Sequence, residues 1–128
     1  MEGCFCMKSY NKDIGALGEN ISENYLKNLG YKILDRNFRC KCGEIDLIAV
    51  NKSYICFIEV KTRYGINYGI PAESVIYSKQ QKIYKTAQVY IMMKNIINSN
   101  FRFDVMEITL NNDNNDFLVN HIENAFPL

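Results

Sequence analysis

No apolar run in this sequence approaches the ~20 residues that a membrane-crossing helix needs. Its longest apolar clusters, ICFI and VYIMM, suit a strand and a helix. The opening residues, MEGCFCMKSYNK, lack the apolar segment of a secretory signal, so the expected location is the cytoplasm, away from membranes. An even cysteine framework is also missing. Five cysteines at positions 4, 6, 40, 42 and 56 do not match a secreted disulfide scaffold. The pairs Cys4/Cys6 and Cys40/Cys42 invite a zinc reading, but zinc sites typically separate paired thiolates by about two to four residues. Reduced, unpaired thiols are the expectation. Repeats, low-complexity tracts and long linkers are absent from the 128 residues. That leaves a loose lead-in over residues 1–13 and one domain over 14–128, large enough to hold its own core. There is a single histidine, His121, near a terminal strand, where a structural role is expected.

Strong net charge is lacking too; the formal value is +1. The distribution is more informative. From Lys27 to Lys85 there are eleven Lys/Arg against five acids, three of which lie in one short stretch, Glu44, Asp46 and Glu59. A basic surface around a small acidic centre would produce this pattern, as would scattered solvated lysines.

The periodicity predicts a helix from about Ile14 to Leu29, with Asp13 as N-cap and Gly30 as the stop. Ile14, Leu17, Ile21, Tyr25 and Leu29 share one face of it. Strands are predicted at Tyr31–Phe38, Glu44–Val50 and Tyr54–Thr62, then a glycine-containing loop from Lys61 to Gly69. A second helix runs from Ser78, with Gln81 as its capping-box partner, to about Asn95. Two last strands, Phe101–Leu110 and Phe117–Glu123, flank the turn-rich NNDNND. The order αβββαββ implies an α/β domain with a mixed central sheet flanked by helices.

Within it, GEIDLIAVNKSYICFIEVK (Gly43 to Lys61) reads as a hairpin that carries charges among its hydrophobes. A turn at Lys52 and Ser53 pairs residues whose numbers sum to 105. Asp46 would then oppose Glu59, and Glu44 would oppose Lys61, on one face with Ile48, Val50, Ile55 and Phe57. Ile45, Leu47, Ala49, Cys56, Ile58 and Val60 would form the other face. Two opposed carboxylates near a core repel and lose hydration. A shared proton, the Lys61 ammonium or a bound hard cation such as Mg²⁺ would offset that cost. Metal-assisted hydrolysis, with Lys61 orienting water or stabilising charge, and a purely structural ion-pair cluster both fit the spacing. A register slip of one residue would separate the acids.

The pattern Asp46…Glu59-Val60-Lys61 resembles the PD-(D/E)XK nuclease signature, with Ile45 in place of its leading proline. Glu19, on the first helix, is similar to the helical glutamate of the Holliday-junction-resolvase branch. The chain more closely resembles the YraN-like bacterial family. The matching motifs are G-x-x-G-E (Gly15 to Glu19), N-F-R then C-G-E-I-D-L-I-A (Asn37 to Ala49), F-I-E-V-K-T-R (Phe57 to Arg63) and G-x-P-A-E (Gly69 to Glu73). Lys79-Gln80, F-D-V (Phe103 to Val105) and H-I-x-N-A-F (His121 to Phe126) continue it. The resemblance implies a restriction-endonuclease-like αβββαββ core and a Mg²⁺- or Mn²⁺-dependent endonuclease acting on DNA, branched or damaged DNA included. It implies Asp46, Glu59 and Glu19 as metal residues, with Glu44 assisting and Lys61 activating water or stabilising the transition state. A homodimer is left open. So is the alternative, a non-catalytic nucleic-acid-binding module or adaptor on the same fold, since some superfamily members keep the fold without the chemistry.

Lys79 and Gln80 fall in the first turn of the second helix, where free N–H groups favour anions, and are candidates for phosphate contact or site support. Arg39 and Arg63 flank the proposed site in sequence, and Arg63 with Tyr64 and Tyr68 offers a clamp for exposed bases. Gly15, Gly18 and Ser22 make a small-residue strip beside Glu19, expected to permit close helix–sheet packing.

Overall fold

The computed structural model describes residues 2–65, 77–111 and 113–126, with side chains from Asp13 onward. The side chains of Cys4 and Cys6, and residues 66–73 with Tyr68 and the Gly69 to Glu73 motif among them, lie outside the described residues. The order is α1 (Glu2–Asn28), β1 (Lys32–Cys40), β2 (Gly43–Asn51), β3 (Tyr54–Tyr64), α2 (Tyr77–Met93), β4 (Asn100–Leu110) and β5 (Phe117–Ile122). The αβββαββ succession and the mixed sheet are as expected.

Helix α1 starts at Glu2, well before Ile14, so Asp13 lies inside the helix and does not cap it. The reason is local: residues 2–28 contain no proline, and nothing near Asp13 ends the hydrogen-bonded run. Its other end closes as the sequence implies. Gly30 adopts a left-handed φ of 95°. The Gly30 and Tyr31 N–H groups donate to the carbonyls of Lys27 and Leu26, both at 3.0 Å. This double bond pattern satisfies carbonyls left open at the helix end.

The strands lie side by side in chain order, β1-β2-β3-β4-β5. All neighbours are antiparallel except β3 and β4, which run parallel and are joined through α2. Each face of the sheet carries one helix. On one side Leu26 of α1 packs among Leu47, Ala49, Cys56, Ile58 and Met106. On the other, Ile83, Ala87 and Tyr90 of α2 cover Ile48, Ile55, Phe57 and Phe103. Each fully buried side chain of this size contributes about 1.5–3 kcal/mol. Gly18 lets α1 approach β3 closely, because a Cβ there would overlap the Thr62 side chain. Gly15 has no such neighbour within 4 Å, so the expected packing role holds for Gly18 alone.

At the α1 side of β4, the fully buried Asp104 accepts both Nε and Nη2 of Arg102 at 2.9 Å. It also meets His121 Nε2 at 2.8 Å and accepts the Asn124 N–H at 3.0 Å. His121 therefore belongs to a structural network.

Candidate active site

The hairpin register is the expected one where the ladder exists. Pairs run from Asn51–Tyr54 to Leu47–Ile58, each summing to 105. The ladder stops there. It does not extend to Asp46–Glu59 or Glu44–Lys61, so those residues are not the directly opposed pairs that the spacing predicts.

The cause lies in β1. Its pairs with β2 include Arg36–Leu47 and Phe38–Ile45, but the residues between them, Asn37 and Asp46, are not paired. Asn37 has a φ of 56°, a left-handed conformation that asparagine tolerates better than most residues. The kink breaks the in-out alternation. Ile45 joins the α2-side cluster with Ile48, although alternation would put it with Leu47. The Asp46 carboxylate meanwhile takes a place in the sheet: its Oδ2 accepts the Val60 N–H at 2.8 Å. Strands β2 and β3 thus part at Asp46, and the first residues of β2 stay with β1.

At the parting lies a cavity of about 650 Å³. Helix α1 contributes Ile14, Gly15 and Glu19, strand β3 contributes Glu59 to Tyr64, and α2 contributes Lys79. Among the sequence-predicted residues, Glu19, Glu59, Lys61, Arg63 and Lys79 therefore converge. Asp46 adjoins them through Val60. Glu44 and Arg39 are brought together elsewhere, as an exposed ion pair at 3.0 Å across β1 and β2. Gln80 is half-buried on α2 and does not line this cavity.

The electrostatics centre on Asp46. Burial first, then the charge of Glu59, push its carboxyl up to about 7. The Val60 N–H works against the rise, while Glu19 and Glu44 add to it. Glu59 is nearly buried and ion-paired with Lys79, which reaches over from the first turn of α2. Burial alone would lower the Lys79 pKa, but the bond to Glu59 and the charges of Glu59, Asp46 and Glu44 raise it. Glu19 is held in place: its Oε1 accepts Arg36 Nε at 3.3 Å and Asn37 Nδ2 at 3.2 Å. The residue that kinks β1 therefore also fixes the helical glutamate.

Sequence reasoning missed two supports. Arg36 ties α1 to β1, reaching Asn20 Oδ1 at 2.6 Å and the Ala16 carbonyl at 3.2 Å besides Glu19. Nothing in its spacing signalled this. Glu107, buried on β4, lies in register with Lys61. It accepts Asn120 Nδ2 at 2.9 Å and sits 3.8 Å from Arg63 Nη2. With Lys61, Thr62 and Arg63 it lines a second cavity of about 300 Å³. Its signal in the sequence is a lone charge in the apolar run VMEITL, of the same kind as the charges within the β2–β3 hairpin.

Among the described residues no three His, Cys, Asp or Glu side chains gather to hold a metal ion. The donor set at the parting is Asp46 and Glu59, with Glu19 bonded to Arg36 and Asn37 at the cavity wall. Two carboxylates are an adequate protein contribution for Mg²⁺, which prefers oxygen donors and retains several waters.

Known bacterial proteins are similar to this chain over nearly its whole length. A protein of Clostridium botulinum (strain Loch Maree / Type A3), named UPF0102 protein, is 60% identical over 119 residues, covering 92% of this chain and 97% of its own. One of Clostridium kluyveri with the same name is 55% identical over 122 residues, 95% of this chain and 100% of its own. Residues 18–108, which hold the kinked β1, the parting strands and Glu107, match the model of the Uncharacterised protein family UPF0102, and the chain belongs to that family.

Proposed function

We propose that this protein is a divalent-cation-dependent nuclease, hydrolysing phosphodiester bonds in DNA, with branched or damaged DNA as the preferred class. Its fold is read as a restriction-endonuclease-like core of the Holliday-junction-resolvase type, and its place of action as the cytoplasm. One observation carries the reading: the Asp46 carboxyl, raised to about 7 by burial and by Glu59, sits where β2 and β3 part, beside a cavity lined by Lys61. Such a concentration of carboxylates destabilises the fold unless something positive joins it. Asp46 and Glu59 would hold Mg²⁺ or Mn²⁺. When bound, such a cation neutralises phosphate charge and makes water a stronger acid. Lys61 orients the attacking water or stabilises the charge that develops on phosphorus oxygens. Glu19, fixed by Arg36 and Asn37, bounds the site from α1. Arg63 and Lys79 supply positive charge along the cavity for the flanking phosphates. Arg39, Glu44 and Gln80 take outer positions, on the hairpin rim and on α2.

A second reading has its own support. Lys79 already neutralises Glu59, and Arg36 already neutralises Glu19, as in a binding module that needs no cation. The two readings separate in one assay. Labelled four-way-junction, single-stranded and duplex DNA are incubated with Mg²⁺ or Mn²⁺, and cutting is followed on gels. The nuclease reading expects cleavage, lost by at least about a hundredfold in Asp46→Asn and Lys61→Ala. DNA binding without cutting, across these substrates and both metals, would establish the module instead.

A further inference from the structure

The β1–β2 hairpin ends in a tight turn. Cys40 and Gly43 are paired across it, with Lys41 and Cys42 as the turn residues. Both thiols are partly open to solvent, unlike Cys56, which is fully buried. The Cys42 N–H donates to Cys40 Sγ at 3.4 Å. Two partly exposed cysteines, two residues apart in one tight turn with the backbone N–H of one bonded to the sulfur of the other, are more than a pair of small apolar side chains requires.

We propose that Cys40 and Cys42 form a reversible dithiol–disulfide site at the tip of this hairpin, oxidised by exchange with a low-molecular-weight disulfide. Cys40 is the attacking thiol. Burial alone would push its pKa up, but N–H bonds from Cys42 and Gly43, together with the Thr86 and Cys42 side chains, bring it below the ordinary thiol value. A larger thiolate fraction speeds attack on a disulfide. The Cys40 thiolate attacks one sulfur of the oxidant RSSR, expelling RS⁻, which takes up a proton, and leaving a mixed disulfide on Cys40. The deprotonated Cys42 thiol then attacks Cys40 Sγ and expels the second RSH. Two protein thiols and one RSSR become one ring disulfide and two RSH; the protein pair loses two electrons and the oxidant gains them. A ring this small is strained, and strained, exposed disulfides are the easily reduced ones. The site is thus suited to sensing and not to stapling.

The test uses the full chain with Cys4→Ser and Cys6→Ser, so that Cys40, Cys42 and buried Cys56 remain. After incubation with glutathione disulfide, free thiols are blocked with iodoacetamide and the protein is cut with trypsin. Because trypsin cuts after Lys41, between the two cysteines, the ring holds two peptides together until dithiothreitol is added. The expected result is that linked pair, formed at least tenfold faster than Cys56 is modified. Cys42→Ser should halt the reaction at a glutathione adduct on Cys40. Separate glutathione adducts on Cys40 and Cys42 without linkage, or both thiols alkylated as freely as before treatment, would overturn the proposal. The unsubstituted chain, mapped in the same way, should yield the same linked peptides, so the outcome does not depend on any variant's folding.

Discussion

Asp46 is a residue whose position opposes the stability of the fold. Its folded pKa of about 7 lies above the ordinary carboxylate value of 3.8, so the folded state binds its proton more tightly than the unfolded state does. This group therefore favours folding fully below pH 3.8, and that contribution is lost as pH rises through about 7. Asparagine at this position can still accept the Val60 N–H and carries no charge. Asp46→Asn is expected to raise stability at pH 8 by about 1–3 kcal/mol, at roughly 1.4 kcal/mol per pH unit relieved. At pH 4 it should change little. Urea unfolding at the two pH values checks this, and a variant no more stable than wild type at pH 8 would contradict it. Under the proposed function, millimolar Mg²⁺ should stabilise the wild type and leave Asp46→Asn unmoved.

At the scale of elements, the decisive event is the parting of β2 from β3. The sequence shows the two strands, the turn between them and the register, because alternation and turn chemistry are local signals. It does not show where the ladder ends. That depends on Asn37, a residue of another strand in a left-handed conformation, and on a carboxylate standing in for a backbone carbonyl at Val60. Alternation correctly groups Ile48 with Phe57, and Leu47 with Ile58, yet misplaces Ile45 on the far side of the kink. Glycine spacing was equally incomplete. Gly15 and Gly18 look alike in a helix, and only the contact with Thr62 distinguishes them. Gly18→Ala should cost about 1–3 kcal/mol by forcing α1 away from β3. Gly15→Ala, with open space around it, should gain up to about 1 kcal/mol of helix propensity. Thermal melts of the two variants should shift in opposite directions; a matching shift would refute the close approach of α1 at Gly18.

For the whole molecule, the anchor lies across the sheet from α2, in the Arg102–Asp104–His121 network. Burial alone would raise the Asp104 pKa, but bonds from His121, Arg102 and the Asn124 N–H reverse this and hold it below the ordinary value. Its contribution is present above the unfolded value of 3.8 and lost as pH falls below it. Asp104→Ala leaves Arg102 largely buried without its carboxylate, at a cost of about 3–5 kcal/mol. The variant should also lose part of the wild type's sensitivity to acid below about pH 4, measured by circular dichroism across a pH series. Unchanged stability and an unchanged acid limb would remove Asp104 from this role. The place of His121 in a terminal strand points to a structural role, but its partner is hidden, since nothing in the spacing of FRFDVMEITL ties Asp104 to a residue seventeen positions further on.

Because strand neighbours follow chain order, everything from α1 to β3 is synthesised before β4 exists. During that interval the edge of Tyr54–Tyr64 that later receives Asn100–Leu110 has no partner, and it exposes the segment ICFIEV. A nascent chain in this state carries an open template for pairing with other chains. Glu59 and Lys61, charged residues within that edge, act as its gatekeepers until the parallel strand arrives.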